Sequence, residues 1–359
     1  MDQSAAFDRI SREWRSRMDC VHEYAVVRND NTFRAGFSDS YVLESEFNEV
    51  QGLRQSLMEE YRGQELEDVL PGREIETADG ACYVIESREP LVIPQADREA
   101  VRTKLLHELS LVHGIGRKTE LELKRRGYRT IEDLQFHRRF SERARECSRA
   151  IRAGDPALVS GLVGRWYPAS HPLTLLTAGL YDRTDFVFLD IETLGIFSRP
   201  LILVGIATVT RNDLEVRQFL VRDLSEEPAS LMAVAEYLHP GAVLVTYNGK
   251  TFDIPYLRSR FAFYGSQGDV SNVHYDLLHA SRRRWGHSLP DCRLTTIEKR
   301  LLGTGRESDI PGGMVPEFYE VYHRTGNPGP LIPIVAHNRQ DVVTLAHLFS
   351  TLREVSYEC

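Results

Sequence analysis

No run of apolar residues in this chain approaches the roughly 18 that a membrane span requires, so no transmembrane segment is expected. Cysteine is scarce and scattered, with five residues at 20, 82, 147, 292 and 359 and no C-x-x-C pair. Their odd number and wide spacing argue against a disulfide framework or a zinc knuckle. The opening stretch MDQSAAFDRISREWRSRM reads as an amphipathic segment without a signal peptide's apolar core. A reducing cytoplasm is therefore the simplest expected setting. Internal repeats and low-complexity tracts are missing as well. What remains has the composition of a soluble globular protein, 42% apolar and 27% charged. At 359 residues it exceeds one ordinary core, and two or three domains are expected.

The net charge of −8 at first counts against a nucleic-acid partner. Its distribution matters more than its sum. Between Val101 and Arg152 stand fourteen Lys/Arg and seven Asp/Glu, a local balance of +7, so the remainder carries −15. A basic module inside an acidic protein fits a nucleic-acid contact region joined to an acidic, metal-binding catalytic domain.

Residues 1–100 read as a helix followed by β-rich material, an α+β region with no visible chemistry. YAVVRNDNTFRAGF suggests two short strands around an Asn/Asp turn, and ETADGACYVIESREPLVI a hairpin around Asp79-Gly80. Residues 101–155 form a helical module, and 156–180, with its Pro and Gly breaks, a helical connector. From 181 to 359 the pattern changes. An apolar strand at 185–191 is followed by PLILVGIATVT and LEVRQFLVR around the turn Arg211-Asn212-Asp213. A helix near 226–238, the strand AVLVTYN, a helix near 254–264, the strand NVHYDLL and further helices complete the series. Three antiparallel strands and then alternating helices and strands make a mixed α/β sheet in the RNase H-like order.

Within the basic module, LSLVHGIGRKTELELKRRGYRTIEDL sets Gly114-Ile115-Gly116 between two apolar-periodic stretches, with Gly127 where a helix should stop. Glycines in a tight inter-helix turn let backbone N–H groups approach a phosphate, and the next helix presents its positive end. The stretch resembles the helix-hairpin-helix motif, which grips nucleic-acid backbone without reading sequence. Gly114, Gly116, Arg117 and Lys118 are the expected contacts, with Val112, Ile115, Leu121 and Leu123 packing the hairpin. Such binding would be salt-sensitive and sequence-indifferent. An ordinary helical hairpin with a solvated basic face, or a protein-docking unit, is the plainer reading.

DFVFLDIETLG drives Phe186, Val187, Phe188, Leu189 and Ile191 into a core and places Asp190 and Glu192 beside them. Strand alternation puts both carboxylates on one face, about 7 Å apart. Buried acids so close repel unless a cation lies between them. LVTYNGKTFDIPYL sets Asp253 after a strand and an Asn-Gly turn, at a helix start. VAHNRQDVVTL sets His337 and Asp341 four apart, on one helical face.

Taken together, FLDIETLG, YNGKTFDIPYL, HYDLLHASRRRW, TTIEKRLLG, DIPGGMVPEFYEVY and HNRQDVVTL resemble, in order, the YprB-like branch of the RNase H-like DEDD 3′→5′ exonucleases. The resemblance covers roughly residues 180–350. It implies that Asp190, Glu192, Asp253 and Asp341 hold two divalent cations, Mg²⁺ or Mn²⁺, about 4 Å apart. One activates water and the other stabilises the leaving 3′ oxygen. Asp190 would bridge the pair, Glu192 and Asp341 would complete their shells, and Asp253 would bind largely through water. The family's fifth residue is a Tyr four before the last Asp or a His five before it. Here His337 holds the Tyr-type position and Ala336 the His-type one. His337 would orient or deprotonate the water, or else be an ordinary helix histidine.

Lesser candidates for substrate contact are Thr193, Leu194, Asn248, Lys250 and Phe252. The last is a stacking residue or a core aromatic. His274 and Asp276 read as structural. The expected activity is metal-dependent 3′→5′ hydrolysis of single-stranded nucleic acid, DNA favoured over RNA. Alternatives are a structure-selective endonuclease and a non-catalytic binding or docking protein.

Overall fold

The computed structural model describes residues 25–27, 41–195, 199–266, 268–306 and 309–358. Near the start, β1 (Ala25–Val27) and β2 (Tyr41–Leu43) pair in parallel, and α1 (Glu44–Glu60) follows. The second strand anticipated in YAVVRNDNTFRAGF lies outside the described residues. The hairpin does form, from β3 (Arg73–Thr77) and β4 (Gly80–Pro90). Its two-residue turn is Ala78-Asp79, and Gly80 takes a φ of 115° that suits glycine.

That hairpin does not stand apart. β4 pairs antiparallel along its length with β7 (Asp213–Leu220), Tyr83 opposite Leu220 and Pro90 opposite Asp213. With β5 (Phe186–Thr193), β6 (Leu201–Val209), β8 (Val243–Thr246) and β9 (Val273–Asp276), the result is one seven-stranded sheet, ordered β3-β4-β7-β6-β5-β8-β9. Strands from before residue 100 and after 181 thus share one sheet. Ion pairs of Arg217 with Glu86 (3.1 Å) and of Arg222 with Glu74 (2.6 Å) follow that seam.

β5 lies centrally, antiparallel to β6 and parallel to β8. Its alternation decides everything near it. Val187, Leu189 and Ile191 face α6 (Glu227–Ala235) and α7 (Asp253–Tyr264) in one core layer. Phe186 and Phe188 face the long last helix, here α10 (Leu331–Glu358), in the other. α8 (Leu277–Trp285) also lies on that side, and α9 (Val315–Thr325) packs with α1 and the start of α10 in a third cluster.

The helical module comprises α2 (Arg98–Leu106), α3 (Arg117–Arg125) and α4 (Ser141–Ala153), joined by short 3₁₀ turns, and α5 (Pro156–Gly164) opens the connector. These elements share a separate core that includes Val112, Ile115, Leu123, Val159 and Leu180. Leu121, expected to pack the hairpin, is instead 52% exposed. It sits on the far side of α3 from buried Leu123.

Candidate active site

Asp190 and Glu192 share parity with Phe186 and Phe188, so they point at the face that α10 covers. Since β8 runs parallel to β5, the loop leaving β8 emerges at the same sheet edge. Asp253 starts α7 there and is almost fully buried. The Ile191 backbone amide, within β5, favours its ionised form. His337 and Asp341 descend from α10 onto the same spot. His337 Nε2 stands 3.8 Å from Glu192 Oε1 and 3.7 Å from Asp341 Oδ2.

Crowding acids into so little water has an electrostatic cost, visible in their titration. Burial, followed by the charges of Asp341, Glu192 and Asp253, raises Asp190 well above the usual carboxylate range. Burial likewise lifts Glu192 to about 7, against the pull of His337, and Asp253 to about 7. Asp341 is raised by burial, with His337 and Arg306 opposing. The cluster holds more carboxylates than positive charges.

Residues 187–353 match the RNase H superfamily. Over 189 residues the chain is 32% identical to the uncharacterized protein YprB of Bacillus subtilis (strain 168). Residues 187–353 therefore carry the RNase H-like fold, and about half of the chain is similar to part of YprB. The aligned stretch covers 51% of this chain and only 45% of the Bacillus protein. A family B DNA polymerase from the hyperthermophilic archaeon Pyrobaculum calidifontis aligns over 48% of this chain and 27% of its own, at 17% identity and a TM-score of 0.36. That likeness is too loose to bear on function.

Several parts of this cluster come from residues the sequence did not flag. Arg306 is 7% exposed and forks onto Glu298 at 2.7 Å through both Nε and Nη2. Thr344 fixes Glu298 in turn, its hydroxyl donating at 2.6 Å. From that anchor Arg306 donates to Asp341. Asp309 accepts from His337 Nδ1 at 2.6 Å. Arg306 Nη1 lies 3.0 Å from the same nitrogen, but a protonated Nδ1 has no lone pair to offer, so the carboxylate contact prevails. Burial opposes charge on His337. The Asp309 hydrogen bond and the nearby charges of Asp341 and Glu192 outweigh it and push the imidazole up to about 9. At neutral pH His337 is therefore a cation, with its second N–H facing the acids.

Asp190 has its own support. Asn338, wholly buried, donates from Nδ2 to Asp190 Oδ2 at 2.9 Å and to its carbonyl at 3.2 Å. Gln218 donates to Asn338 Oδ1 at 2.9 Å and to the Val335 carbonyl at 2.8 Å. Asp190, Gly205 and Gln218 lie in register across β5, β6 and β7. A Cβ on Gly205 would overlap the Asn338 amide, so the glycine makes room for the buttress.

Do these residues fit divalent cations? The donors are all oxygens, the set that hard cations prefer. Six carboxylates (Asp190, Glu192, Asp253, Glu298, Asp309, Asp341) face two cations, Arg306 and His337. The formal excess is four negative charges, which two divalent ions would cancel. Among the described residues, no three acid, histidine or cysteine groups are drawn together closely enough to hold one ion between them. The charge fits; Asp341 is meanwhile shared with Arg306.

The remaining sequence candidates divide. Asn248 takes a left-handed φ of 67°. Its N–H and that of Lys250 donate to Asp276 at 2.8 and 3.1 Å, so buried Asp276 shapes the loop before Asp253. Desolvation of the Lys250 amine lowers its pKa. His274 accepts or shares a proton with Thr246 at 2.7 Å, a structural bond. Phe252 packs on the core beside Tyr256, with ring centres 5.4 Å apart. Thr193 is buried and donates to the Gly195 carbonyl at 2.9 Å, and Leu194 leans on the α9 side. In the helical module, Gly114 has φ 90° and Gly116 is the N-cap of α3, followed by exposed Arg117 and Lys118. Among the described residues no helix is long and apolar enough to cross a membrane.

Proposed function

We propose that the protein is a divalent-metal-dependent nuclease that trims nucleic acid from the 3′ end, with DNA favoured over RNA. RNase H superfamily membership and the carboxylate cluster support a nuclease-type activity. The observation that carries the metal dependence is the crowding of buried carboxylates at the sheet edge, a formal excess of four negative charges around β5 and α10 that holds protons in the absence of cations. Asp190, Glu192, Asp253 and Asp341 would hold two cations, Mg²⁺ or Mn²⁺, which supply Lewis-acid activation of water and neutralise the phosphodiester. Asn338, backed by Gln218, fixes the Asp190 carboxylate and leaves its other oxygen turned away from the amide. Asp309 holds His337 by Nδ1 and keeps a proton on Nε2 facing Glu192 and Asp341. Arg306, tied to Glu298, holds the Asp341 carboxylate in place. Of the expected contacts of the terminal nucleotide, Asn248 and Lys250 on the loop before Asp253 remain candidates, while Thr193, Leu194 and Phe252 are committed to packing or to a bond with Gly195. The helical module at 101–155 serves as a helix-hairpin-helix grip on the backbone, using the turn at Gly114–Lys118.

The test is a time course on 3′- and 5′-labelled single-stranded, duplex and overhang substrates of DNA and RNA. Each is run with Mg²⁺, with Mn²⁺ and with chelator. A metal-dependent ladder receding from the 3′ end, lost in Asp190→Asn, is the expected result. Discrete internal cuts would make the protein an endonuclease. No cleavage by a folded protein that still binds nucleic acid would leave a docking protein.

A further inference from the structure

A feature that the proposed reaction does not use lies in the helical module. A cleft of about 930 Å³ opens between α2, the start of α3 and the connector. That is the upper end of the range for sites that enclose small molecules. One wall is aromatic. Tyr167 packs against His171 with the rings tilted by 35° and centroids 4.1 Å apart, while Trp166, which also borders a neighbouring pocket, stacks on His113 of that pocket at 5.2 Å. The Tyr167 hydroxyl is tied to Ser110 at 2.5 Å, so this ledge is held from behind. Trp166 nonetheless keeps 44% of its surface exposed, unusual for the largest apolar side chain. The rim is cationic, with Lys104 and Arg117. Glu108 and Glu120 also stand in the lining; Glu120 is paired with Lys124 at 2.8 Å, which leaves Glu108 as the acceptor suited to a ring N–H or exocyclic amine.

Flat aromatic faces, cations at the rim and a carboxylate acceptor are what a nucleotide's three parts require: a π-face, a phosphate and an amino edge. Arg117 belongs both to this lining and to the turn that contacts backbone, so a strand held at Gly116–Arg117 has the cleft directly beside it. The surrounding local charge of +7 favours the same partner. We propose that the cleft takes an unpaired nucleobase, stacked on the Trp166–Tyr167 ledge, from the strand whose backbone the turn holds. This rests on the reading of the module as a backbone grip. It adds to that reading a preference for single-stranded tails over blunt ends.

The experiment uses the full chain made inactive by Asp190→Asn, in chelator. Binding of a blunt duplex is compared with the same duplex bearing a short single-stranded tail that contains 2-aminopurine. The expected result is tighter binding of the tailed duplex, with 2-aminopurine emission quenched on binding. Trp166→Ala should weaken the tailed duplex by about tenfold or more and leave the blunt duplex unchanged. Trp166→Phe should retain most of the difference. Unquenched emission in the parent, which needs no ledge variant, would overturn the proposal. So would equal losses on both duplexes from Trp166→Ala. If Arg117→Glu/Lys118→Glu abolishes both duplexes while Trp166→Ala affects neither, the backbone grip stands and the cleft takes no base. Failure of the parent to bind any nucleic acid would instead overturn the reading of the module itself.

Discussion

Removing divalent cations should make the stability of this protein fall steeply as pH rises. Glu192 moves on folding from 4.5 to about 7, and Asp253 from 3.8 to about 7. A carboxyl raised in the folded state binds its proton more tightly there than in the unfolded chain. Its stabilising contribution is complete below about pH 4 and is lost as pH climbs through 7. For Glu192 alone the interval corresponds to about 3 kcal/mol. The carboxyls feel one another, so their losses do not simply add. His337 does not offset them. Raised to about 9, it contributes fully below 6.5 and loses that contribution through 9, also as pH rises. A bound cation takes the place of the protons. At about a hundred times its dissociation constant it restores about 2.7 kcal/mol, a rise of several degrees in Tm. Thermal melts in chelator and in Mg²⁺ should therefore diverge near pH 8 and converge near about pH 5. Asp190→Asn should remove most of that divergence. A cation-induced rise of equal size at both pH values, or one untouched by Asp190→Asn, would refute the charge-deficit account of the site.

Three further outcomes follow from particular contacts. Gly205→Ala forces a methyl against Asn338, and overpacking of about 1–3 kcal/mol should lower Tm while activity falls further than Tm explains, because Asp190 loses its buttress. Asp309→Asn should bring the His337 imidazole down from about 9 in an NMR titration, since the hydrogen-bonded carboxylate is gone; an unmoved midpoint would remove Asp309 from its role. Glu227→Ala strands buried Arg260, otherwise bonded at 2.5–2.6 Å, and also the Leu201 N–H. Breaking such a pair should cost about 3–5 kcal/mol by denaturant unfolding, with cleavage by the surviving folded fraction unaffected.

The four acids were legible because each sits where short-range pattern sets its direction. Period-two alternation fixed the face of Asp190 and Glu192, a turn followed by a helix start placed Asp253, and helical spacing joined His337 to Asp341. The parts that were not legible depend on closure over long stretches of chain. Arg306 reaches Asp341 across 35 residues and His337 across 31. Nothing in GTGR marks an arginine that will be buried against a glutamate. Gly205 and Gln218 matter only through cross-strand register. The pairing of β4 with β7 joins residues such as Glu86 and Arg217, 131 apart, through backbone bonds that any side chains could make. Leu121 shows the opposite error, an apolar residue at nearly helical spacing on a face left half exposed among the described residues.

The most direct test of the central claim is product analysis in ¹⁸O-labelled water. Single-stranded DNA is digested with Mg²⁺ by the parent and by Asp190→Asn, and the products are weighed by mass spectrometry. Hydrolysis that attacks the terminal phosphodiester and releases the 3′ oxygen predicts 5′-mononucleotides, each carrying one ¹⁸O on phosphate, absent with Asp190→Asn. Products ending in 3′-phosphate, or the same products from the variant, would contradict the proposed site and its chemistry.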